Sequence, residues 1–202
     1  SDLLNFTYPE GELSDYHHEL DLSTAVNTVT YKIGDTEYTR QSIASNPDDV
    51  IAMYITASRP EAITMELELN LLRNAEVIAS GNQLIYTGNA EFEKHGRGGV
   101  LFEGRIAVEI KGGTIKADGK KLLIDKATEV TLLSDVRTNY KNTTFAGYDY
   151  KQKCKETIEA AAKKSFKTLR NTHVEDYAPL FSRVALSFGD NGKLNHLPND
   201  QR

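Results

Sequence analysis

The strongest constraint on the fold of this chain is an alternation of apolar and polar residues that recurs over its first two thirds. In one run Ile63, Met65, Leu67 and Leu69 alternate with Thr64, Glu66, Glu68 and Asn70. Successive side chains of a strand point to opposite faces, so this run predicts a strand with one buried face. A longer run predicts a strand over 100–111, with Val100, Phe102, Ile106, Val108 and Ile110 on the apolar face and Glu103, Arg105, Glu109 and Lys111 on the polar face. Gly104 falls on the apolar face, where glycine is typical of a bend.

Six shorter runs have strand character, namely 29–33, 37–43, 50–56, 83–87, 121–124 and 130–136. The turn-forming sequences between them are Gly34-Asp35, Asn46-Pro47-Asp48-Asp49, Arg59-Pro60, Gly81-Asn82, Gly112-Gly113 and Asp118-Gly119. The glycine pairs tolerate the positive φ of tight hairpins. Many short strands with no helix between them predict an antiparallel β-sandwich, of the super-sandwich type, over residues 1–137.

The pattern changes to helical spacing in the last third of the chain. We predict a loop and helical linker over 138–183, followed by a strand and tail over 184–202. The first helix is carried by Ile158, Ala162, Ser165, Phe166 and Leu169, with Asp149 as its N-cap. A second helical pattern follows through Val174, Tyr177, Leu180 and Phe181, with a break near Pro179, and the final strand runs through Val184, Leu186 and Phe188.

Composition excludes several classes of protein. The chain has 202 residues, which is room for one large domain or a medium domain with an appendage. Its 24 basic against 29 acidic residues give a net charge of -5, which disfavours a nucleic acid partner. No apolar run approaches about 18 residues, so we expect no membrane insertion. The first residue is not Met and the last stretch is polar, so we expect the chain to be cut from something longer.

Two segments have the residue types of a ligand site without its geometry. His17-His18-Glu19, with Asp21 nearby, has transition-metal donors, but adjacent strand residues face opposite ways, so we favour a surface pair and assign no metal site. The segment Glu93-Lys94-His95-Gly96-Arg97-Gly98-Gly99 lacks the Gly-Lys-Ser/Thr ending and the following helix of a phosphate-binding loop. It predicts a basic loop between strands.

The sequence assigns no catalytic group. The carboxylate pairs are Asp48-Asp49, Glu66 with Glu68, and Glu175-Asp176, and the sequence does not bring an acid and a base together from them. No Gly-x-Ser-x-Gly motif occurs. Cys154, the single cysteine, excludes an internal disulfide and a cysteine-based zinc site. Its Lys-rich surroundings could lower its pKa, but an ordinary free thiol is the simpler interpretation, and we expect no cofactor.

An aromatic segment supplies the candidate substrate-binding residues. Tyr140, Tyr148 and Tyr150, with Phe145 between them, lie among Asn and Thr residues in the expected loop before the helix. Tyrosines in such company could stack on a sugar and hydrogen-bond to it. The favoured alternative is that the rings pack the loop down, and the absence of Trp counts against a sugar-binding platform.

Several stretches, taken in order, resemble the N-terminal region of glycoside hydrolase family 95, the α-L-fucosidase family. The stretch over 16–25, with Glu19-Leu20-Asp21-Leu22 at its centre, is similar to that family's Tyr-x-Arg/His-Glu-Leu-Asp-Leu-x-x-Ala. Further similar stretches are Tyr38-Thr39-Arg40, Ser45-Asn46-Pro47-Asp48, Gly112-Gly113, Ala127-Thr128-Glu129-Val130-Thr131, His173-Val174-Glu175-Asp176-Tyr177, Leu180-Phe181-Ser182-Arg183-Val184 and Leu197-Pro198-Asn199-Asp200-Gln201-Arg202. In the family, a Leu-Pro-Thr-Asp-Glu-Arg segment like the last one leads into the catalytic domain.

The resemblance implies an N-terminal β-sandwich, a helical linker and an (α/α)6 barrel that would start just past Arg202. It implies inverting hydrolysis of terminal α-linked L-fucose by an exported bacterial enzyme, periplasmic or extracellular. The family's catalytic residues belong to the barrel, so this chain would be a non-catalytic domain. Its partners would be its own catalytic barrel and, through the intact enzyme, a fucosylated oligosaccharide.

The family also has a longer opening segment, so strands are expected to be missing before Leu3. Unpaired edges would then invite a homodimer of the fragment. Two alternatives stay open for the function, a stand-alone carbohydrate-binding module that uses the tyrosine segment and a cell-surface interaction domain.

Overall fold

The computed structural model describes residues 3–6, 11–71, 75–90, 99–140, 148–186, 192 and 197. The strands are β1 (Leu3–Phe6), β2 (Leu13–Asp21), β3 (Val26–Ile33), β4 (Thr36–Ser45), β5 (Val50–Ala57), β6 (Ile63–Asn70), β7 (Ala75–Ser80), β8 (Gln83–Ala90), β9 (Val100–Lys111), β10 (Thr114–Asp118), β11 (Lys121–Ala127) and β12 (Glu129–Thr138). The helices are α1 (Tyr150–Ala161) and α2 (Phe166–Phe181). No helix in these ranges is both long and apolar enough to cross a bilayer.

The strands form two antiparallel sheets, which confirms the predicted sandwich. The large sheet has the order β2-β3-β4-β5-β12-β9-β8-β7, and the small sheet has the order β1-β6-β11-β10. The last strand along the chain, β12, lies in the middle of the large sheet between β5 and β9. All eight strand runs predicted from the alternation are present, whereas β1, β2, β7 and β10 were not among the predicted runs.

The main core lies between the two sheets. The inner face of the large sheet contributes Val29, Leu84, Val108 and Val130, and the small sheet contributes apolar side chains such as Leu67, Leu122 and Ile124. Gly104 lies on this inner face, where a Cβ would stand 2.0 Å from the ring of Tyr86. The glycine predicted as a bend is therefore required for the close approach of a tyrosine ring from the neighbouring strand.

The outer face of the large sheet is covered by the two helices. A second apolar cluster joins Ala52, Ala107 and Leu133 of the sheet to Ile158 of α1 and Leu169 of α2. The N-cap predicted at Asp149 is confirmed, since its carboxylate accepts hydrogen bonds from the backbone N–H groups of Lys151 and Gln152.

The predicted course of the helices was wrong in two places. Ala162 through Ser165 do not continue the first helix, because Ser165 caps a new one by accepting a hydrogen bond from the Thr168 N–H. Pro179 does not break the second helix, which continues to Phe181 with the proline in its last turn. The predicted final strand is also not found at residues 184–186, and residues 187 and 188 lie outside the described part of the chain.

Three of the predicted glycine turns are tight hairpins, and one is not. Gly34, Gly81 and Gly119 have φ of 56°, 58° and 61° and close the β3–β4, β7–β8 and β10–β11 hairpins. Gly112-Gly113 instead carries the chain from β9 in the large sheet to β10 in the small sheet. A Cβ on Gly113 would lie 2.2 Å from the carbonyl oxygen of Asp125, so this crossover needs a residue without a side chain.

Candidate functional site

The histidine pair lies on the exposed edge strand β2. His17 Nε2 is 3.4 Å from Glu19 Oε2, and His18 Nε2 is 2.6 Å from Asn27 Oδ1. The Asp21 carboxylate accepts hydrogen bonds from the hydroxyl groups of Ser23 and Thr24, which lower the pKa of Asp21. Within the described ranges, no group of three or more His, Cys, Asp or Glu residues could hold a metal ion. The structure therefore places these donors in local contacts of the surface.

The carboxylates considered for catalysis are held mainly by basic side chains. Asp48 accepts from Lys164 Nζ at 2.5 Å, and Asp49 accepts from Arg137 at 2.5 Å. Glu66 and Glu68 share Lys121. These contacts hold the turn after β4 to the helices and to β12, and hold β6 to β11. Residues 93–98 of the glycine-rich segment lie outside the described part of the chain.

The candidate tyrosines lie at the two ends of a segment that is only partly described. Tyr140 follows β12 and is 74% exposed, whereas Tyr150 begins α1 and is half-buried with Lys151 Nζ 6.0 Å from its ring centroid. Tyr148 is exposed just before the helix, and Phe145 lies outside the described residues. Sugar binding by Tyr140, Tyr148 and Tyr150 stays a prediction.

Cys154 lies on the buried face of α1. The lysines near it in the sequence had suggested a Lys-rich surface position instead. Its thiol donates to the Asp135 carbonyl oxygen at 3.5 Å. Burial, helped by the negative charge of Asp135, raises the pKa of Cys154 to about 12. A thiol in this state is inert at neutral pH.

Under the same helix lies a set of paired charges that the sequence did not reveal. We call it the charge quartet, and its members are Glu103 and Arg105 of β9 and Asp135 and Arg137 of β12. Arg105 binds Glu103 at 2.8 Å and Arg137 binds Asp135 at 2.8 Å. The register places Asp135 opposite Arg105 and Arg137 opposite Glu103, so residues of unlike charge are neighbours across the strands. The alternation marked the β9 members as a polar face, but only the position of α1 shows that this face is buried.

A groove of about 650 Å³ lies between the outer face of the large sheet and the start of α2. We call it the helix-turn groove. Its floor includes Tyr54 and Glu129, and Phe166 and Arg170 of α2 line its helical side. Tyr54 Oη donates to Glu129 Oε2 at 2.7 Å, and Lys111 Nζ donates to Glu129 Oε1 at 2.8 Å.

The electrostatics of this groove are set by those two hydrogen bonds. The bonds from Lys111 and Tyr54 lower the pKa of Glu129, so its carboxylate is ionised at neutral pH. Burial, together with Glu129, raises the pKa of Tyr54 to about 12, so its hydroxyl stays a donor. The groove residues come from β4, β5, β9, β12, the connection between α1 and α2, and α2 itself, and no local motif in the sequence could have joined them.

A second surface feature is apolar and lies where α2 meets the turn after β2. Leu20 and Leu22 on one side, and Leu180 and Phe181 on the other, are each about half exposed. Tyr177 lies between the two groups, because its hydroxyl donates to the Leu22 carbonyl oxygen at 2.9 Å and its ring stacks on Phe181. We call these four residues the apolar end surface. Exposed apolar side chains gathered in one place are typical of a protein interface.

Comparisons with known proteins point to one group of enzymes. Residues 2–143 match the family described as glycosyl hydrolase family 65, N-terminal domain. The chain is 30% identical to α-L-fucosidase 2 of Arabidopsis thaliana, over 86% of this chain and 23% of that protein. It is also 30% identical to the protein named probable α-fucosidase A of Aspergillus niger, over 93% of this chain and 25% of that protein. The chain thus spans about a quarter of the length of these relatives.

The fold has a counterpart among solved structures. A human-microbiome protein assigned as a kojibiose phosphorylase superposes with a TM-score of 0.56 at 13% identity, over 86% of this chain and 27% of that one. This likeness concerns the fold alone. The sequence matches confirm the resemblance to the N-terminal region of fucosidase-like glycoside hydrolases. The plant and fungal relatives do not bear on the bacterial origin that the motifs implied.

Proposed function

Because this chain belongs to the family of glycosyl hydrolase family 65 N-terminal domains, we propose that it is the non-catalytic domain of a larger enzyme that removes terminal α-linked L-fucose from glycans with inversion. The names of the relatives support fucose as the sugar, and the inverting course rests on the family resemblance of the motifs. The quarter-length coverage supports a catalytic region elsewhere in the intact protein.

The apolar end surface is the observation that carries this proposal. It lies at the end of α2, the last described helix, so polypeptide that follows α2 is well placed to pack on it. Val184 and Leu186, just beyond the helix, are about four-fifths exposed and extend the apolar character of this region. Burying such side chains stabilises an interface by about 25 cal/mol per Å² of apolar area. We propose that the catalytic domain covers this surface.

The pairing of the carboxylates is consistent with catalysis outside this domain. Glycosidic hydrolysis commonly needs two carboxyl groups about 5–9.5 Å apart, with room for a sugar between them. Asp48, Asp49, Glu66 and Glu68 are each engaged by a basic side chain in the structure. We therefore expect the domain to position and stabilise the catalytic region instead of supplying reacting groups.

The activity is tested by comparing the 202-residue chain with the intact natural protein on an aryl α-L-fucoside. The intact protein should release fucose and produce the β-anomer first, as seen by proton NMR, and the isolated chain should release none. Fucose release by the isolated chain at a rate near that of the intact protein would contradict the proposal.

The docking surface is tested in the intact protein by Leu22→Asp and Phe181→Asp. Both should lower the temperature of thermal unfolding and expose the chain after α2 to limited proteolysis, because a carboxylate is placed in an apolar interface. Ile78→Asp is the matched control, since Ile78 is also about half exposed but lies on β7, at the opposite edge of the large sheet. Equal effects of all three substitutions would show that the apolar end surface is not the interface.

A further inference from the structure

The helix-turn groove has the features of a binding site for a polar ligand, and nothing in the proposed scaffold role uses them. We propose that this groove binds a neutral sugar unit of a glycan. Its volume of about 650 Å³ falls within the range of roughly 300–1,000 Å³ that is typical of small-ligand sites. Its walls combine an aromatic ring, an ionised carboxylate and a guanidinium group.

The aromatic part of the groove is held in place before any ligand arrives. The rings of Tyr54 and Phe166 are stacked, with centroids 4.9 Å apart and planes 14° from parallel. The Tyr54 hydroxyl is fixed at its far end by Glu129. Because Phe166 and Glu129 already hold the Tyr54 side chain, this side chain loses little conformational freedom when a ligand binds. The entropic cost of binding is therefore lower.

The carboxylate of Glu129 offers a fixed hydrogen-bond acceptor. Each of its oxygens already accepts one hydrogen bond, from Tyr54 and from Lys111. A carboxylate has about four lone-pair positions, so two remain for donors on a ligand. A sugar hydroxyl that donates to Glu129 would form a charge-assisted hydrogen bond, which is stronger than a neutral one.

Arg170 supplies the complementary donor. Its Nε is buried, and no acceptor for it is found among the residues that the structure describes. A buried N–H without an acceptor is costly, and the side chain that carries it lines the groove. A ligand that accepts from the Arg170 guanidinium and donates to Glu129 would use the hydrogen-bonding groups of both walls.

A sugar can do both, because every hydroxyl group donates and accepts. Four basic side chains, Lys111, Lys164, Lys167 and Arg170, and two carboxylates, Glu109 and Glu129, line the groove, which disfavours a simple cation. A fully ionised anion has no donor for Glu129. A neutral polyhydroxylated ring, with an apolar face for the Tyr54–Phe166 pair, fits the groove better than either ion.

The test is a titration of the ¹⁵N-labelled 202-residue chain followed by NMR, with methyl α-L-fucoside, a fucosylated oligosaccharide, maltose and inorganic phosphate as separate probes. At least one sugar should produce saturating shifts confined to the groove. Glu129→Gln and Arg170→Met should each weaken its binding by about tenfold, as expected for the loss of one charge-assisted hydrogen bond. Tyr54→Phe keeps the stacked ring and should weaken binding less.

Tyr16→Ala is the matched control, since Tyr16 is an exposed tyrosine on the edge strand β2, outside the groove, and its loss should leave the affinity unchanged. Circular dichroism and the unfolding temperature show whether Arg170→Met is folded. If it is not, the affinity of Tyr54→Phe for the sugar tests the groove independently. The proposal is overturned if no sugar saturates the chain, if the shifts map to Tyr140–Tyr150, or if phosphate alone saturates the groove.

Discussion

The two faces of the large sheet are buried by different means. The inner face meets the small sheet through large aliphatic side chains, and Leu84, Leu122 and Val130 there are fully buried. The outer face meets α1 and α2 partly through the small residues Ala52 and Ala107, and partly through the charge quartet. On the inner face, the apolar residues of the alternating pattern are the buried ones, as the pattern predicts. The outer face shows that the polar residues of such a pattern can be buried as well.

The largest expected effect comes from breaking the charge quartet. Arg105→Met leaves Glu103, which is only 4% exposed, without its ion-pair partner. An uncompensated buried charge should lower the free energy of unfolding by about 3–5 kcal/mol, measured by urea denaturation. The double substitution Glu103→Leu with Arg105→Met should recover most of that loss. If the double variant is no more stable than the single one, the stability of the outer face does not depend on the pairing of Glu103 with Arg105.

The inner face should respond to a loss of volume. Leu122→Ala removes part of a fully buried side chain between the sheets and should cost about 3 kcal/mol, from the lost burial and the cavity left behind. Leu101→Ala is the control, because Leu101 is substantially exposed on β9 and should change stability by less than about 0.5 kcal/mol. Similar losses in both variants would contradict the assignment of the core.

Cys154, on the outer face, should also make the stability of the chain depend on pH in the alkaline range. The pKa of Cys154 is raised from 9.0 to about 12, so the unfolded chain loses this proton at a lower pH than the folded chain. Stability from the protonated thiol is complete below about pH 9 and is lost as pH rises towards about 12. At pH 10.5 the loss should be about 2 kcal/mol.

The measurement is the urea midpoint at pH 8 and pH 10.5 for the natural chain and for Cys154→Ala. The fall in midpoint should be smaller in the variant. An equal fall in both proteins would assign the alkaline loss to other groups, such as Tyr54, whose pKa is also raised to about 12.

The smallest expected effect concerns the break between the helices that cover the outer face. Ser165→Ala removes the hydroxyl that accepts from the Thr168 N–H and should cost about 1 kcal/mol. Ser80→Ala, at the exposed end of β7, is the control and should be close to neutral. A neutral Ser165→Ala would show that packing of Phe166 and Leu169 alone fixes the start of α2.

The sequence predicted the parts of this fold that depend on near neighbours. Strands, the three tight hairpins and the Asp149 cap follow from local alternation and local turn chemistry. The Gly112-Gly113 crossover was misread because a positive-φ glycine serves a crossover between sheets as well as a hairpin. The break at Ser165 had a local signal, a serine before a new turn, but the apolar spacing of Ile158 through Leu169 continues across it.

The helix-turn groove could not be predicted, because Tyr54, Lys111, Glu129 and Arg170 are brought together only by strand register and by the placement of α2. The same holds for the charge quartet, whose two ion pairs lie side by side because of the β9–β12 register. The role of Tyr140, Tyr148 and Tyr150 is still a prediction.

The position of β12 at the centre of the large sheet sets the order in which the protein can assemble. During synthesis, β2–β5 and β7–β9 emerge as two separate meanders, and each has an open inner edge until residues 129–138 leave the ribosome. Such edges can pair with other chains, and closing them needs contacts between distant residues, which slows folding. A nascent chain that lacks β12 is therefore the species most exposed to aggregation. Once β12 pairs with β5 and β9, these two edges are closed.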